Sequence, residues 1–339
     1  MISHNRPTLG KEEIHAAKRI ITSGWLAQGE EVRRFENEFC QYLGLPIGHT
    51  VAVSSGTAAL FLALWALNAE NKIVSFPVYV CSAVRNAVAM ARAKEHLVDV
   101  ARNSPNIDLE IINKEKPHIV IIPHLYGIPV DIKCSKGIKI IEDCCHSLGA
   151  VVDGKSTGLK GDLGIFSFFS TKLITTGGQG GMVASKNKHF IEAIRDYREF
   201  DCRDDYKKRF NFQMTDLQAA IGREQLRKLP KFLKRREKIF KMYKDADLEL
   251  LDVNEKGKYK FTPVRYRSIL KSDHPKALIK QLFKNNIKAI IPIEDWELLG
   301  DSSLFPNALK LARETVSIPC YPSLTNREVE KIVEKIIIA

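Results

Sequence analysis

The sequence of 339 residues lacks any apolar run long enough to span a bilayer, and its first ten residues lack the apolar core of a signal peptide. Both absences predict a cytoplasmic protein with no membrane partner. Low-complexity segments and internal repeats are missing as well. The hydrophobic fraction of 45% and the charged fraction of 27% are ordinary for a globular enzyme, and the length suffices for a large and a smaller domain.

The cysteines are not arranged in pairs that would hold a zinc ion or a disulfide framework. They are odd in number, scattered and never spaced as CxxC. They are Cys40, Cys81, Cys134, Cys144, Cys145, Cys202 and Cys320. Cys144, Cys145 and His146 are consecutive, and consecutive residues on a strand point to opposite faces, which disfavours joint chelation of one ion. We therefore expect no metal.

Basic residues outnumber acidic ones and give a formal net charge of +12. They concentrate at Arg203–Arg209 and Lys228–Lys244, and the second stretch has the pattern of a helix with a solvated charged face. Nucleic-acid binding would also call for interleaved aromatics or a recognisable module, and we find neither in the sequence. No nucleic-acid partner is expected, and the positive charge favours an anionic small-molecule substrate.

The N-terminal two thirds alternates short apolar runs with helical patterns, which predicts an α/β fold whose mostly parallel sheet is flanked by helices. The predicted strands are Val51–Val53, Ile73–Phe76, His96–Val100, Ile119–Ile122, Ile138–Ile141, Ile165–Phe168 and Gly181–Ala184. The predicted helices are Thr57–Ala69, Ser82–Ala91, Lys188–Phe200, Thr215–Leu229 and another from Pro230.

The pattern changes at about Leu248 and predicts a small C-terminal α/β domain. Its predicted strands are Leu248–Leu251, Tyr259–Val264 and Ile287–Ile291, and its predicted helices are Lys276–Phe283 and Asn326–Ile337. We place the large domain, with its N-terminal helical segment, at residues 1–235 and the small domain at residues 236–339.

Three local motifs carry candidate chemistry. The small residues Ser54-Ser55-Gly56-Thr57 stand between a strand and a helix, where unpaired N–H groups and the helix dipole suit a phosphate, although a plain N-cap explains them as well. Glu142-Asp143 ends a predicted strand, where open α/β sheets place ligand-binding groups, although a surface or capping Asp is the alternative.

The third motif is Lys172, which lies between an apolar strand and the glycine-rich turn Gly177–Gly181. Burial lowers the pKa of a lysine and makes its neutral amine available as a nucleophile. The alternative is an ordinary surface lysine.

The three motifs together, in this order, resemble the DegT/DnrJ/EryC1/StrS family of sugar aminotransferases, which depend on pyridoxal 5'-phosphate (PLP) and have the aspartate aminotransferase fold (type I) with its seven-stranded sheet. The resemblance runs nearly end to end. Its further matches are Ser23-Gly24-Trp25, His124–Gly127, Gly161-Asp162, Phe166–Lys172, Asn211–Ala220 and Ile318–Thr325.

The resemblance implies roles for individual residues at the cofactor ring. Lys172 would hold PLP covalently as a Schiff base and carry the proton that moves during transamination. Asp143 would pair with the pyridine nitrogen, and His146 would lie beside the phenolic oxygen.

The resemblance also implies how the cofactor phosphate is bound. Ser167 and the N–H groups of Gly56 and Thr57 would hold it from one subunit. Asn211 would reach it from the neighbouring subunit, so a homodimer with shared active sites is expected.

By resemblance, the reaction moves an amino group from glutamate to a keto-sugar that is nucleotide-linked, in the biosynthesis of surface polysaccharides or glycoconjugates. Related dehydratases carry His at the position of Lys172, and this chain does not. Two alternatives stay open: a PLP enzyme that catalyses elimination or epimerisation, and a regulator of the same fold without catalysis, for which the basic face at Lys228–Lys244 is the support.

The sequence departs from the family pattern at three places. Where many relatives have Thr and a ring-stacking aromatic, it has Val80-Cys81, so that Cys81 would contact the ring unless Tyr79 takes its place. Gln213 stands where many relatives carry Arg. The region Asp295–Phe305, which in relatives contacts the sugar and nucleotide, is short.

A competing motif, GxxxxGK[ST], occurs at Gly149–Ser156. A phosphate-binding loop of this type requires a helix directly after it, and Thr157-Gly158 begins no helical pattern. The segment instead predicts a hairpin with a Gly-Lys turn.

Overall fold

The computed structural model describes residues 1–253 and 260–338. Elements are numbered in chain order. The first part of the chain contains α1 (Lys11–Ser23), α2 (Glu30–Leu43), β1 (Thr50–Val53), α3 (Gly56–Ala66), β2 (Ile73–Pro77), α4 (Ala83–Met90), β3 (Lys94–Val98), α5 (Leu109–Glu115), β4 (Ile119–Pro123), β5 (Lys139–Asp143), β6 (Val151–Val152), β7 (Lys155–Ser156), β8 (Leu163–Ser167), β9 (Gly181–Ala184) and α6 (Lys188–Arg198).

The remainder of the chain contains α7 (Asp216–Lys244), β10 (Phe261–Thr262), β11 (Ser268–Lys271), α8 (Pro275–Lys284), α9 (Pro306–Glu314), β12 (Thr315–Ile318) and α10 (Asn326–Ile337). Short 3-10 turns lie at Leu125–Gly127, Asp295–Glu297 and Ser302–Leu304. In the described residues, no helix is long and apolar enough to cross a membrane.

Seven strands form the main sheet in the order β1-β9-β8-β5-β4-β2-β3. β9 pairs antiparallel with both of its neighbours, and the other adjacent pairs are parallel. The predicted mostly parallel, seven-stranded sheet is thereby confirmed. In the centre, Asp143 at the end of β5 is in register with Pro123 of β4 and Ile165 of β8. The carboxyl ends of these strands therefore meet at one edge, where α/β sheets bind ligands.

One helix replaces the two that were predicted around Pro230. α7 continues through the proline, although a proline lacks the N–H that a helix interior uses. Leu226, Leu229 and Phe232 around it are buried in a cluster shared with α2 and the sheet. Burial of this apolar face stabilises the helix across the missing hydrogen bond, so the prediction of a break was wrong.

α7 makes polar contacts near both of its ends. The Asp216 carboxylate accepts hydrogen bonds from the backbone N–H groups of Gly29 (2.8 Å), Glu31 (3.2 Å) and Val32 (3.0 Å) at the start of α2. Near the other end, the buried Arg236 donates through Nη1 to the carbonyls of Arg265, Tyr266 and Cys320. The helix thus contacts both the N-terminal helices and the C-terminal part of the chain.

Two of the strands predicted in the C-terminal part are reduced to isolated bridges. Leu250 bridges Leu270, and Ile287 and Ile290 bridge Ile2 and Ser317. Leu250 and Ile287 contribute to a separate hydrophobic cluster with α8, α10 and the two-stranded sheet β11–β12, and their packing there explains why they are apolar. The division of the chain at residues 235 and 236 stays a prediction.

Of the predicted strand Tyr259–Val264, only Phe261–Thr262 is extended, and Tyr259 lies outside the described residues. β10 pairs with β6, and β6 pairs antiparallel with β7, so the hairpin predicted within Gly149–Ser156 is confirmed. Because no helix follows it, this segment does not have the structure of a nucleotide-binding P-loop.

Candidate active site

A cavity of about 690 Å³ opens at the carboxyl edge of the sheet. It is lined by seven of the eight residues that the sequence singles out, namely Gly56, Thr57, Cys81, Asp143, His146, Ser167 and Lys172. They lie at or directly after the ends of β1, β2, β5 and β8, as expected for strands that end at the same edge. The structure thus brings residues more than a hundred positions apart into one concave site.

One wall of the cavity is the N-terminus of α3. Ser55 is its N-cap and accepts a hydrogen bond from the Ala58 N–H at 3.1 Å, so the capping explanation holds for this residue. Gly56 and Thr57 line the cavity beyond it. A Cβ at Gly56 would lie 2.8 Å from Ser167 Cβ, which explains the glycine. The helix dipole makes this wall favourable for an anion.

The two acidic residues at the end of β5 face opposite ways and have different partners. Asp143 lines the cavity, and its Oδ1 accepts from the Cys145 N–H at 3.0 Å. Glu142 is fully buried on the other side, where His124 Nε2 lies 3.0 Å from its Oε2. Burial alone would raise the pKa of Glu142, but His124 and two backbone N–H groups lower it below its usual range.

His124, Glu142 and Cys144 place one ligand atom each within 4.8 Å of one another. Both Glu142 oxygens already accept backbone hydrogen bonds: Oε2 from Gly158 at 2.9 Å, and Oε1 from the residues 160 and 161. These hydrogen bonds hold the loop after β7, and they explain why His124 and Glu142 are buried together.

Lys172 follows β8 and extends into the cavity, where Nζ lies 5.4 Å from the centre of the Tyr266 ring. Burial alone would lower the pKa of Lys172, as predicted from the sequence. Tyr266, Cys145 and Asp143 favour the charged form more strongly, so the net direction is a raised pKa. The expectation of a lowered pKa was wrong, because a sequence does not reveal the neighbours of a buried amine.

An aromatic stack forms the wall next to Lys172. The His146 ring lies between Tyr266, at 4.0 Å between centroids and 21°, and Tyr126, at 6.2 Å and 16°. His146 Nδ1 accepts from the Tyr126 N–H at 3.3 Å, which leaves the proton of the neutral ring on Nε2. Burial, with Lys172 and Arg267 nearby, holds the pKa of His146 well below its usual range, so the ring is neutral.

Tyr266 and Arg267 line the cavity, although neither was predicted from the sequence as a site residue. They lie just before β11, in the part of the chain assigned to the small domain, and no motif surrounds them. Burial would raise the pKa of Tyr266, but Lys172, Arg267 and Arg236 together lower it. The C-terminal part of the chain therefore contributes charge and aromatic surface directly to the cavity.

Cys81 and Tyr79, the two alternatives for the contact with the cofactor ring, differ in their exposure to the cavity. Cys81 is exposed and lines the cavity. Tyr79 is fully buried behind it, where its hydroxyl accepts from Tyr126 at 2.9 Å and burial raises its pKa to about 12. The smaller side chain, and not the aromatic one, faces the site.

Asn211, the eighth predicted residue, does not line the cavity of its own chain. It is exposed, and its Oδ1 accepts from the Gln213 N–H at 3.0 Å. Its neighbour Phe212 accepts through its carbonyl from the Ser54 N–H at 2.8 Å, which holds this segment next to the turn before α3. Trp296, from the short region 295–305, lines the cavity mouth and is 77% exposed.

The sequence profile of the DegT/DnrJ/EryC1/StrS aminotransferase family matches residues 7–337. The chain belongs to this family. Among family relatives, an uncharacterized protein, MJ1066, of Methanocaldococcus jannaschii is 32% identical, and the alignment covers 98% of this chain and 95% of the relative. GDP-perosamine synthase of Escherichia coli O157:H7 is 30% identical, with 98% and 96% covered.

A solved structure of a putative sugar aminotransferase from Streptococcus pneumoniae, in its PLP form, superposes with a TM-score of 0.87 at 22% identity. The match covers 98% of this chain and 96% of that one. At this identity the likeness shows a shared fold, which for this aminotransferase family is the seven-stranded α/β architecture described above.

Proposed function

We propose that this member of the family is a PLP-dependent aminotransferase that acts on a nucleotide-linked keto-sugar. The observation that carries the proposal is the meeting of Lys172, Asp143 and the N-terminus of α3 in one cavity. An amine, a carboxylate and an anion-binding helix end are the groups that the aldehyde, the ring nitrogen and the phosphate of PLP require.

The residues present fit the cofactor. The helix end at Gly56 and Thr57 together with Ser167 would hold the phosphate, and the close approach of Gly56 to Ser167 leaves no room for a side chain at position 56. Asp143 would hold a proton on the ring nitrogen. His146, neutral and with its proton on Nε2, would donate to the phenolic oxygen. Cys81 faces the cavity where an aromatic is usual in relatives.

When bound, PLP supplies an electron sink for the bonds around the amino carbon of the substrate. Lys172 would bind the cofactor through Nζ and, once released by the substrate amine, would carry a proton within the site. Tyr266, Cys145 and Asp143 stabilise its protonated form, which suits the step in which it donates a proton. Asp143 and His146 would keep the ring oriented throughout.

The name of the relative from E. coli O157:H7, GDP-perosamine synthase, supports a nucleotide-linked sugar as the acceptor. We propose glutamate as the amino donor and a role in surface polysaccharide or glycoconjugate synthesis in the cytoplasm. The excess positive charge of the chain favours such anionic substrates.

We also propose a homodimer with shared active sites. Asn211 is exposed and does not line the cavity of its own chain, and the nearby Phe210 exposes 58% of its surface. An exposed polar side chain beside an exposed aromatic is typical of residues that a partner covers. In the dimer, Asn211 would complete the phosphate site of the other subunit.

The cofactor proposal is tested by the absorbance of the purified protein. We expect a visible PLP band that borohydride fixes covalently to Lys172, as peptide mass spectrometry would show. Lys172→Ala should abolish the fixed adduct, and Lys186→Ala, at an exposed lysine after β9, should retain it. A wild-type protein that stays colourless after addition of PLP would contradict the proposal.

The reaction is tested by stoichiometry. Each equivalent of amino-sugar should appear with one equivalent of 2-oxoglutarate from glutamate. A holoenzyme that converts nucleotide-linked sugars without consuming any amino acid would instead be an eliminating or epimerising enzyme.

A further inference from the structure

Arg267 lines the cavity and shares a side-chain hydrogen bond with Tyr266. Its Nε and Nη1 atoms are shielded from solvent and have no hydrogen-bond partner within residues 1–253 and 260–338. In the same residues, no carboxylate forms an ion pair with it, although Glu297 shares the cavity lining. Shielded N–H groups of a charged side chain cost free energy unless an acceptor meets them. Nε and Nη1 are therefore left without an acceptor in the part of the chain that the structure describes, and a ligand could supply one.

Arg267 and Lys172 both lie near the ring of Tyr266. Arg267 Cζ lies 5.7 Å, and Lys172 Nζ 5.4 Å, from the centre of the same Tyr266 ring. Arg267 also contributes to the lowered pKa of both His146 and Tyr266. It therefore belongs to the reactive-amine side of the cavity, and the candidate phosphate wall at Gly56 and Thr57 is built by a different element.

We propose that Arg267 binds the carboxylate of the amino donor. An α-amino acid carries a carboxylate on the same carbon as the amine that reacts beside Lys172. The planar guanidinium presents parallel N–H groups that match a carboxylate in a bidentate pair. In a nucleotide-linked sugar, by contrast, part of the sugar ring separates the diphosphate from the reacting carbonyl. The inference rests on the proposed aminotransferase function and assigns one residue to donor specificity.

The first experiment measures the donor half-reaction of the PLP-loaded protein. With L-glutamate, Arg267→Gln should raise the concentration that gives the half-maximal rate by roughly 10- to 100-fold. For Arg267→Lys, this concentration should lie between those of the wild type and Arg267→Gln, because lysine keeps the charge but lacks the planar guanidinium. Arg327→Gln removes an equal charge from an exposed position in α10 and should match the wild type.

The second experiment does not depend on catalysis. Calorimetry should show that glutarate, a dicarboxylate without an amine, binds the wild type and binds Arg267→Gln at least about tenfold more weakly. GDP and UDP serve as probes for the acceptor side, and their affinity should be equal in both proteins. Weaker nucleotide binding with unchanged glutarate binding would overturn the inference and assign the cation to the acceptor diphosphate.

Different results would contradict the aminotransferase function and the role of Arg267. A wild type that takes up no PLP contradicts the aminotransferase proposal. An Arg267→Gln protein that has a normal PLP band and unchanged responses to glutamate and glutarate contradicts the role of Arg267 alone.

Discussion

Tyr266 stacks on His146 with 4.0 Å between the ring centroids and an interplanar angle of 21°. One residue precedes β11, in the C-terminal part of the chain, and the other follows β5 of the main sheet. The contact joins the two parts of the chain at the wall of the cavity, and it fixes the plane of the imidazole that we assign to the phenolic oxygen of the cofactor.

Removal of the Tyr266 ring should destabilise the protein. Tyr266→Ala deletes a buried aromatic and should lower the free energy of unfolding by about 3 kcal/mol. Tyr266→Phe keeps the stack and should cost about 1 kcal/mol. Urea unfolding of the cofactor-free proteins measures both. Equal losses for the two variants would show that the hydroxyl, and not the ring, holds the wall.

A methyl group at Gly56 should weaken both the fold and the phosphate site. The new Cβ would lie 2.8 Å from Ser167 Cβ, and overpacking of this kind costs about 1 to 3 kcal/mol. Gly56→Ala should therefore unfold at lower urea and bind PLP more weakly.

A double variant separates these two effects. Ser167→Gly added to Gly56→Ala removes the opposing Cβ and should restore part of the stability, while PLP affinity stays low because the Ser167 hydroxyl is lost. Ser167→Gly alone is the control, because it removes the same hydroxyl without introducing the clash at position 56. Failure of the second substitution to recover any stability would mean that the clash is not the cause.

The stability of the protein should fall on mild acidification, and His4 should account for part of the fall. Burial, with Arg267 and Lys288 nearby, lowers the pKa of His4 to about 3. A histidine at its ordinary pKa of about 6.5 in the unfolded chain takes up a proton below that pH, and the folded chain does not until about pH 3. The unfolded state is therefore favoured as pH falls through this window.

From pH 6.5 to 5.0, the contribution of His4 should lower the free energy of unfolding by about 2 kcal/mol. Urea unfolding of His4→Gln should show a smaller loss over this range than the wild type. His274→Gln, at an exposed site, should behave as the wild type does. Parallel pH profiles for His4→Gln and the wild type would rule out this contribution.

Shared active sites predict complementation between two defective proteins. Lys172→Ala lacks the reactive amine, and Asn211→Ala should lack the phosphate contact that it gives to its partner, so each homodimer should be weakly active. In a mixed dimer, one site carries both defects and the other carries neither. Activity should rise well above both parents after unfolding and refolding of the mixture. No rise, with mixed dimers present by mass spectrometry, would place Asn211 outside the partner's site.

The sheet and most cavity residues could be predicted because their signals are local. A strand–turn–helix pattern around Gly56, an acidic pair after an apolar run, and a lysine before glycines each depend on neighbouring residues. The order of these motifs along the chain then indicated the family.

The rest depends on tertiary contacts that no local pattern reports. α7 continues through Pro230 because burial of its apolar face overrides the local signal. Leu250 and Ile287 are apolar because they pack in a hydrophobic cluster, although neither belongs to an extended strand. Arg267 is one of many basic residues in the sequence, and only the fold shows that its Nε and Nη1 atoms lack a partner among the described residues.

The contacts of Asp216 and Arg236 restrict insertions and deletions in α7. One holds the start of α2 and the other holds the carbonyls beside Tyr266, and both stand on one rigid helix. A single inserted residue between them would turn Arg236 by about 100° around the helix axis. Chimeras with relatives can exchange residues along this helix, but the number of residues between Asp216 and Arg236 has to stay the same.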